Sequence, residues 1–157
     1  GGFPCQAYST AAAGKNTADD LWPEMLRVVA DATPRYVFAE NVSKKAINAA
    51  CDDLEALGHE TKAISLSAKD LGADHIRERN WLLAYSDDPR ELLRGFNAEA
   101  PVLQRVAESV WKSYPGEPRM ADGMAYRMDR LKATGNGQVP IVAISALKLM
   151  VEDVKWP

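Results

Sequence analysis

Pro34-Arg35-Tyr36-Val37-Phe38-Ala39-Glu40-Asn41-Val42-Ser43 is the stretch on which the fold turns. Tyr36 to Ala39 is a short apolar run of β-forming residues between Pro34 and the polar pair Glu40-Asn41, the pattern of a buried strand. Ser43 stands where a helix needs its N-cap, with a hydroxyl able to accept from an early backbone N–H. Beyond it Ile47, Ala50, Cys51, Leu54 and Leu57 recur on one face, predicting a helix over 44–57 that Gly58 stops.

Upstream, Asp19 or Asp20 is placed to cap a helix over 20–32, with Leu21, Met25, Val28 and Val29 as its apolar stripe and Thr33-Pro34 as its stop. Downstream, 61–66 and 80–85 read as two further strands. Helix and strand therefore alternate through residues 20–85, which is the order of an α/β sheet. Residues 1–18 have no period and read as a loop. Residues 87–113 read as helical with a break near Pro101, and 114–138, with Pro115, Gly116, Pro118, Gly123, Gly135 and Gly137, as loop. A last helix is predicted over 139–154, opened by Pro140, with Val142, Ala143, Ala146, Leu149 and Met150 inward.

Composition narrows the function classes. The 157 residues suit one domain, and 46% hydrophobic with 26% charged residues excludes wholesale disorder. A net charge of −3, from 19 Lys+Arg and 22 Asp+Glu, argues against a general nucleic-acid coat protein. The charge divides unevenly: residues 1–75 hold 7 basic and 11 acidic side chains, and 76–157 hold 12 and 11. No apolar run approaches the ~20 residues of a membrane span, and no secretory leader is read at the start. Two cysteines, Cys5 and Cys51, make no disulfide framework, which fits a reducing, cytoplasmic setting.

Four short segments can carry chemistry. Gly2-Phe3-Pro4-Cys5-Gln6 sets a thiol in a loop shaped by glycine and proline, and a thiolate there is a nucleophile if its surroundings stabilise it. Glu40-Asn41 stands at the carboxyl end of the first strand, where ligands of open α/β sheets gather, and a carboxyl shielded by Phe38 is suited to donating a proton. Arg77-Glu78-Arg79 precedes the strand over 80–85. Residues two apart share a face, so Arg77 and Arg79 project together, and an antiparallel pairing brings both near Glu40. Gly135-Asn136-Gly137-Gln138-Val139-Pro140 runs into the last helix with backbone amides able to hold a polar ligand. Each segment alone has an ordinary structural explanation: a turn, a cap, a solvated charge run, a turn again. His59 and His75 lack metal-ligand spacing and, like Cys51, are assigned to structure, so no metal site is read.

In this order, Phe3-Pro4-Cys5-Gln6, Glu40-Asn41-Val42, Arg77-Glu78-Arg79 and Gly135-Asn136-Gly137-Gln138-Val139-Pro140 resemble the DNA (cytosine-5) methyltransferases. The resemblance is close over 1–85, returns over about 119–150 and is weak over 86–118. It implies that Cys5 attacks C6 of a cytosine flipped from double-stranded DNA, that Glu40 holds and protonates N3, and that Arg79 bonds O2. Arg77 then assists in positioning, and Asn41 fixes the loop. C5 takes the methyl group of S-adenosylmethionine. By the same resemblance Asn136, Gly137 and Pro4 contact that cofactor, and Gln6, Ser9 and Lys15 contact DNA.

The implied fold is a truncated, Rossmann-like class I methyltransferase domain: a small three-stranded mixed sheet flanked by helices, strand 80–85 lying between the other two and antiparallel to them. The implied organisation is one partial domain over 1–157, with catalytic core 1–85, a variable helical insert 86–118 in place of a full target-recognition domain, and the closing turn and helix in 119–157. The family's N-terminal cofactor motifs are not matched. His75 stands where the family usually has Gln, and Asp122-Gly123-Met124-Ala125-Tyr126-Arg127 replaces its usual motif before the last turn. The expectation is therefore a methyltransferase portion, of restriction–modification type, with weak cofactor binding and no turnover as an isolated chain. The alternative is a non-catalytic interaction module, or half of a split enzyme, joined to a second copy or to an N-terminal partner through an unpaired edge of the first strand. A thiol hydrolase using Cys5 and His75 leaves the arginine pair unexplained.

Overall fold

A computed structural model of the chain describes residues 1–3, 20–73, 75–95 and 139–152. Three helices and three strands carry the architecture: α1 (Trp22–Ala32), β1 (Tyr36–Asn41), α2 (Lys44–Ala56), β2 (Glu60–Leu66), β3 (Arg79–Tyr85) and α3 (Pro140–Glu152). All six stand where sequence periodicity sets them, with ends shifted by one or two residues. Of the helix expected over 87–113, the described part is a 3₁₀ segment, Pro89–Gly95. The rest of that range, and the loop over 114–138, lie outside the described residues.

Local chemistry explains the boundaries. Asp20 Oδ1 accepts from Trp22 N at 3.0 Å, tying down the start of α1. Its end is Thr33 at φ 43°, a left-handed conformation that a β-branched residue adopts at a cost, and Pro34 prevents the helix from continuing. Ser43 Oγ accepts from Ala46 N at 3.2 Å as the cap of α2. Gly58, at φ 90°, turns the chain after α2 into β2, a backbone state glycine enters without a Cβ clash.

The buried stripe of α1 differs from the expected one. Trp22 and Val29 are buried with Met25 and Leu26 beside them, whereas Leu21 and Val28 are 45% and 53% exposed. Trp22 decides the rotation, since its ring packs inward against Phe3 while its Nε1 donates to Asp53 Oδ2 on α2 at 2.7 Å. Leu57, expected on the inner face of α2, lies beyond the helix and is also exposed.

The strand order is β1-β3-β2, with β3 antiparallel to both neighbours. The expected position of the third strand is therefore found, but the sheet is antiparallel at every strand pairing and not mixed. β1 and β2 run the same way without touching, because β3 separates them. One isolated parallel bridge, Gly2 to Glu40, lies outside the named strands.

That bridge corrects the expected bare edge of β1. Gly1 N donates to Phe38 O at 2.6 Å and Glu40 N donates to Gly1 O at 3.0 Å, so the edge is met over Phe38–Glu40.

Two apolar layers sandwich the sheet. Val37, Ala39, Leu82 and Ala84 face α1 and α2, packing with Phe3, Trp22, Ile47, Ala50 and Leu54. On the other face Phe38, Trp81, Leu83 and Leu66 pack with Val142, Ala146, Leu149 and Met150 of α3. α3 is apolar on nearly every side, as a helix buried against a sheet should be. Lys62 Nζ donates to Met150 O at 2.9 Å, bringing a cation to the carbonyl end of that helix. Among the described residues no helix is long and apolar enough to cross a membrane, and no three His, Cys, Asp or Glu side chains cluster as metal ligands.

Candidate functional site

The strand register assembles the site. Glu40 lies opposite Trp81, and Arg79 is two residues earlier on β3, so Glu40 and Arg79 are diagonal neighbours on the α3 face of the sheet. Long side chains span that diagonal. Arg79 Nε meets Glu40 Oε1 at 2.8 Å, with the two side chains only 18% and 12% exposed. Arg79 Nη1 also donates to Glu78 O at 2.8 Å, which fixes the plane of the guanidinium. Trp81 is buried beside the pair and stacks on Phe38, with ring centroids 5.3 Å apart and planes 11° from parallel. Its Nε1 finds no partner among the described residues.

Arg77 joins the pair. Burial lowers its guanidinium pKa, the like charge of Arg79 acts in the same direction, and Glu40 opposes both. Two cations and one carboxylate thus converge where β1 ends and β3 begins, while Glu78 is exposed to solvent. The excess positive charge suits an electron-rich oxygen, and the carboxylate beside it suits an N–H edge.

Asn41 binds the first residues of the chain to this end. It is 2% exposed; its Nδ2 donates to Phe3 O at 3.1 Å, and its Oδ1 accepts from Ser43 N at 2.9 Å. Phe3 is gripped a second time through its ring, 4.8 Å from that of Trp22. Gly2 passes so near that a Cβ there would lie 3.4 Å from Glu40 Oε2.

Of the residues singled out from sequence, the structure brings together Glu40, Arg77, Arg79 and Asn41. Pro4, Cys5, Gln6, Ser9, Lys15, Asn136 and Gly137 lie outside the described residues. Cys51 sits on α2, where burial raises its thiol pKa against the smaller, opposite effect of a hydrogen bond with Thr61. His59 Nε2 lies 3.0 Å from Pro34 O, a contact that staples β1's start to β2's. Sequence reasoning missed Asn80 and Ser65. Their one signal was an amide standing second in an otherwise apolar strand.

A hollow of about 860 Å³ lies at the other end of the sheet, lined by Glu60, Tyr85, Asp88, Arg90 and Leu93 among others. It contains none of the converging groups described above.

Comparison with known proteins identifies the family. The profile of the C-5 cytosine-specific DNA methylases matches residues 1–138. The chain is 26% identical over 155 residues to the Type II methyltransferase M1.ScrFI of Lactococcus lactis subsp. cremoris, covering 87% of this chain and 39% of that protein. It is 30% identical over 125 residues to the Type II methyltransferase M.BspRI of Lysinibacillus sphaericus, covering 73% and 28%. With the Type II methyltransferase M.HhaI of Haemophilus parahaemolyticus it shares 32% identity over 97 residues, covering 55% and 30%. It thus spans under two-fifths of the length of these relatives. The chain belongs to the C-5 cytosine-specific DNA methylase family.

Proposed function

We propose that this chain is the base-holding and base-attacking portion of a DNA cytosine-C5 methyltransferase, acting on a cytosine extruded from double-stranded DNA. One observation carries the reading: the half-buried Glu40–Arg79 pair, with Arg77 beside it and the chain at Phe3 fastened to the same strand end. Cytosine presents O2 beside N3 on one edge. In the resting protein Arg79 and Glu40 satisfy each other, and the arriving base exchanges that pairing for its own. O2 accepts from Arg79; as Arg79 turns to the base, Glu40 takes up a proton from water and passes it to N3. Two residues span at most ~7 Å, so the anchor on Phe3 limits how far Cys5 can lie from this pair.

With N3 protonated, the Cys5 thiolate adds to C6. A C6–S bond forms, and the ring electron pair moves to C5, which becomes the nucleophile. Extrusion is required because C6 is unreachable in the stack. Gln6, Ser9 and Lys15 contact the DNA around the gap.

Adenosylmethionine supplies the methyl group in this family. The converging groups do not fit it: a sulfonium and an ammonium call for available carboxylates, and the one carboxylate there, Glu40, pairs with Arg79 and serves the base. Pro4, Asn136 and Gly137 remain candidates, and delivery of the methyl group requires donor-holding residues beyond the described set, in this chain or in a complementing partner.

The base-attacking half is testable without the donor. Once C5 is nucleophilic it takes a proton from water; loss of either C5 hydrogen and of the thiolate then returns cytosine with exchanged hydrogen. Incubated with a pool of duplexes tritiated at cytosine C5, the chain should release tritium, and Cys5→Ala should abolish the release. Glu40→Gln should lower it by about 10²-fold or more. No release from any duplex, or release that survives Cys5→Ala, would overturn the reading.

A further inference from the structure

We infer that Asn80 is a positioning residue for the Glu40–Arg79 pair, with Ser65 bracing its amide; the inference rests on the base-holding role of that pair. Asn80 follows Arg79 on β3, but its side chain turns to the opposite face of the sheet, towards α2, so it cannot touch a base held by Arg79. That face is otherwise apolar along β3: Leu82 and Ala84 follow at the same alternation. A buried amide there is costly unless every polar atom is satisfied. It is satisfied in a particular way. Ser65 Oγ donates to Asn80 Oδ1 at 2.7 Å, and Asn80 Nδ2 donates to Val42 O at 3.0 Å and, at 3.4 Å, to Asn41 O.

These bonds tie three strand ends together: Ser65 on β2, Asn80 on β3, and the Asn41-Val42 exit from β1. The Val42 and Asn41 carbonyls decide which way the amide points, since the reversed amide would set Oδ1 against two carbonyl oxygens, and the Ser65 hydroxyl braces that orientation by donating to Oδ1. Asn41, held in this way, in turn holds Phe3 O. One amide thus fixes both neighbours of the chemistry: Arg79 by adjacency along β3, and Glu40 through the end of β1. A Val or Leu at position 80 would serve the core better and take from the Val42 carbonyl the donor that Asn80 supplies.

The readout is the Arg79 Nε–Hε proton, whose exchange with water Glu40 Oε1 retards. It requires neither DNA nor methyl donor. In Asn80→Leu, close in size but without donors, this proton should exchange at least about tenfold faster than in the wild type, and in Ser65→Ala about threefold faster. Leu54→Ala, which weakens the same face away from the strand ends, should lower the melting point and leave the proton's exchange unchanged. In the tritium-release assay Asn80→Leu should lower kcat about tenfold, with KM within about twofold. An Arg79 proton as protected in Asn80→Leu as in the wild type, or one moved equally by Leu54→Ala, would overturn the inference. Should Asn80→Leu fail to fold, Ser65→Ala decides by the same criterion. Faster exchange in the variants with no tritium release by the wild type refutes the function alone; release with unchanged exchange refutes only the role of Asn80.

Discussion

At the amino end of β3, Arg79 meets Glu40 at 2.8 Å with side chains 18% and 12% exposed; past its carboxyl end, Arg90 meets Asp88 at 2.7 Å with Arg90 80% exposed. The second end also borders the hollow of about 860 Å³. Distance alone would rank the pairs together and volume would favour the second, yet solvent separates them. Water screens the Arg90–Asp88 pair, whose charges need no ligand. The Glu40–Arg79 pair has lost much of its hydration, so each group depends on the other until a ligand of matching polarity replaces it. For locating chemistry, shielded and converging charge is the better guide than concavity.

Substitution at each end sharpens the contrast. Arg79→Ala strands Glu40 and should cost about 3 kcal/mol, read as a lower denaturation midpoint with an unchanged slope. A midpoint equal to the wild type's would make the two ends alike. Ser43→Ala, at the turn leaving the Glu40 strand, removes the cap of α2 and should cost about 1 kcal/mol by the same measurement. Cys51 extends the contrast to α2. Because burial raises its pKa, the folded chain retains the thiol proton longer than the unfolded one, so this contribution to stability is full below the ordinary thiol range and fades as pH rises through the folded value. Alkylation of Cys51 should accordingly begin at a higher pH in the native chain than in urea, and Thr61→Val should raise that onset further.

The smallest effect belongs to the exposed end. Asp88 is lowered to about 2, chiefly by its hydrogen bonds from Arg90, so it should stay ionised until the pH falls to that value. Arg90→Ala should return its NMR titration towards the ordinary aspartate range of about 3.9 and, by linkage, move the melting midpoint less than Ser43→Ala does. A midpoint shifted as far as by Arg79→Ala would mean that exposed pairs also hold this molecule together.

Much of this was legible in the sequence, for local reasons. Tyr36 to Ala39 announced a strand because few conformations suit a β-prone run closed by proline, and Ser43 announced a helix because its hydroxyl has one good use there. The approach of Arg79 to Glu40 followed once the strands were taken as antiparallel. The stripe of α1 was misread because Leu21 and Val28 are as apolar as the residues that turned inward; Trp22, larger and anchored to Asp53, won a contest that periodicity cannot judge. Asn80 and Ser65 stayed invisible because an isolated polar residue in a strand has meaning only through its register partner, which lies on another strand.

The central place of β3 has a consequence for the order of events in folding. Among the described strands β1 and β2 meet only through β3, so the three-stranded sheet cannot close until residues 79–85 have left the ribosome. Glu40 is synthesised long before Arg79, and the carboxylate waits in water through the making of α2 and β2. Pairings this distant in sequence are the slow ones to close. The Glu40–Arg79 pair and the completed three-stranded sheet therefore arrive in one late step, and a nascent chain stalled before β3 carries neither.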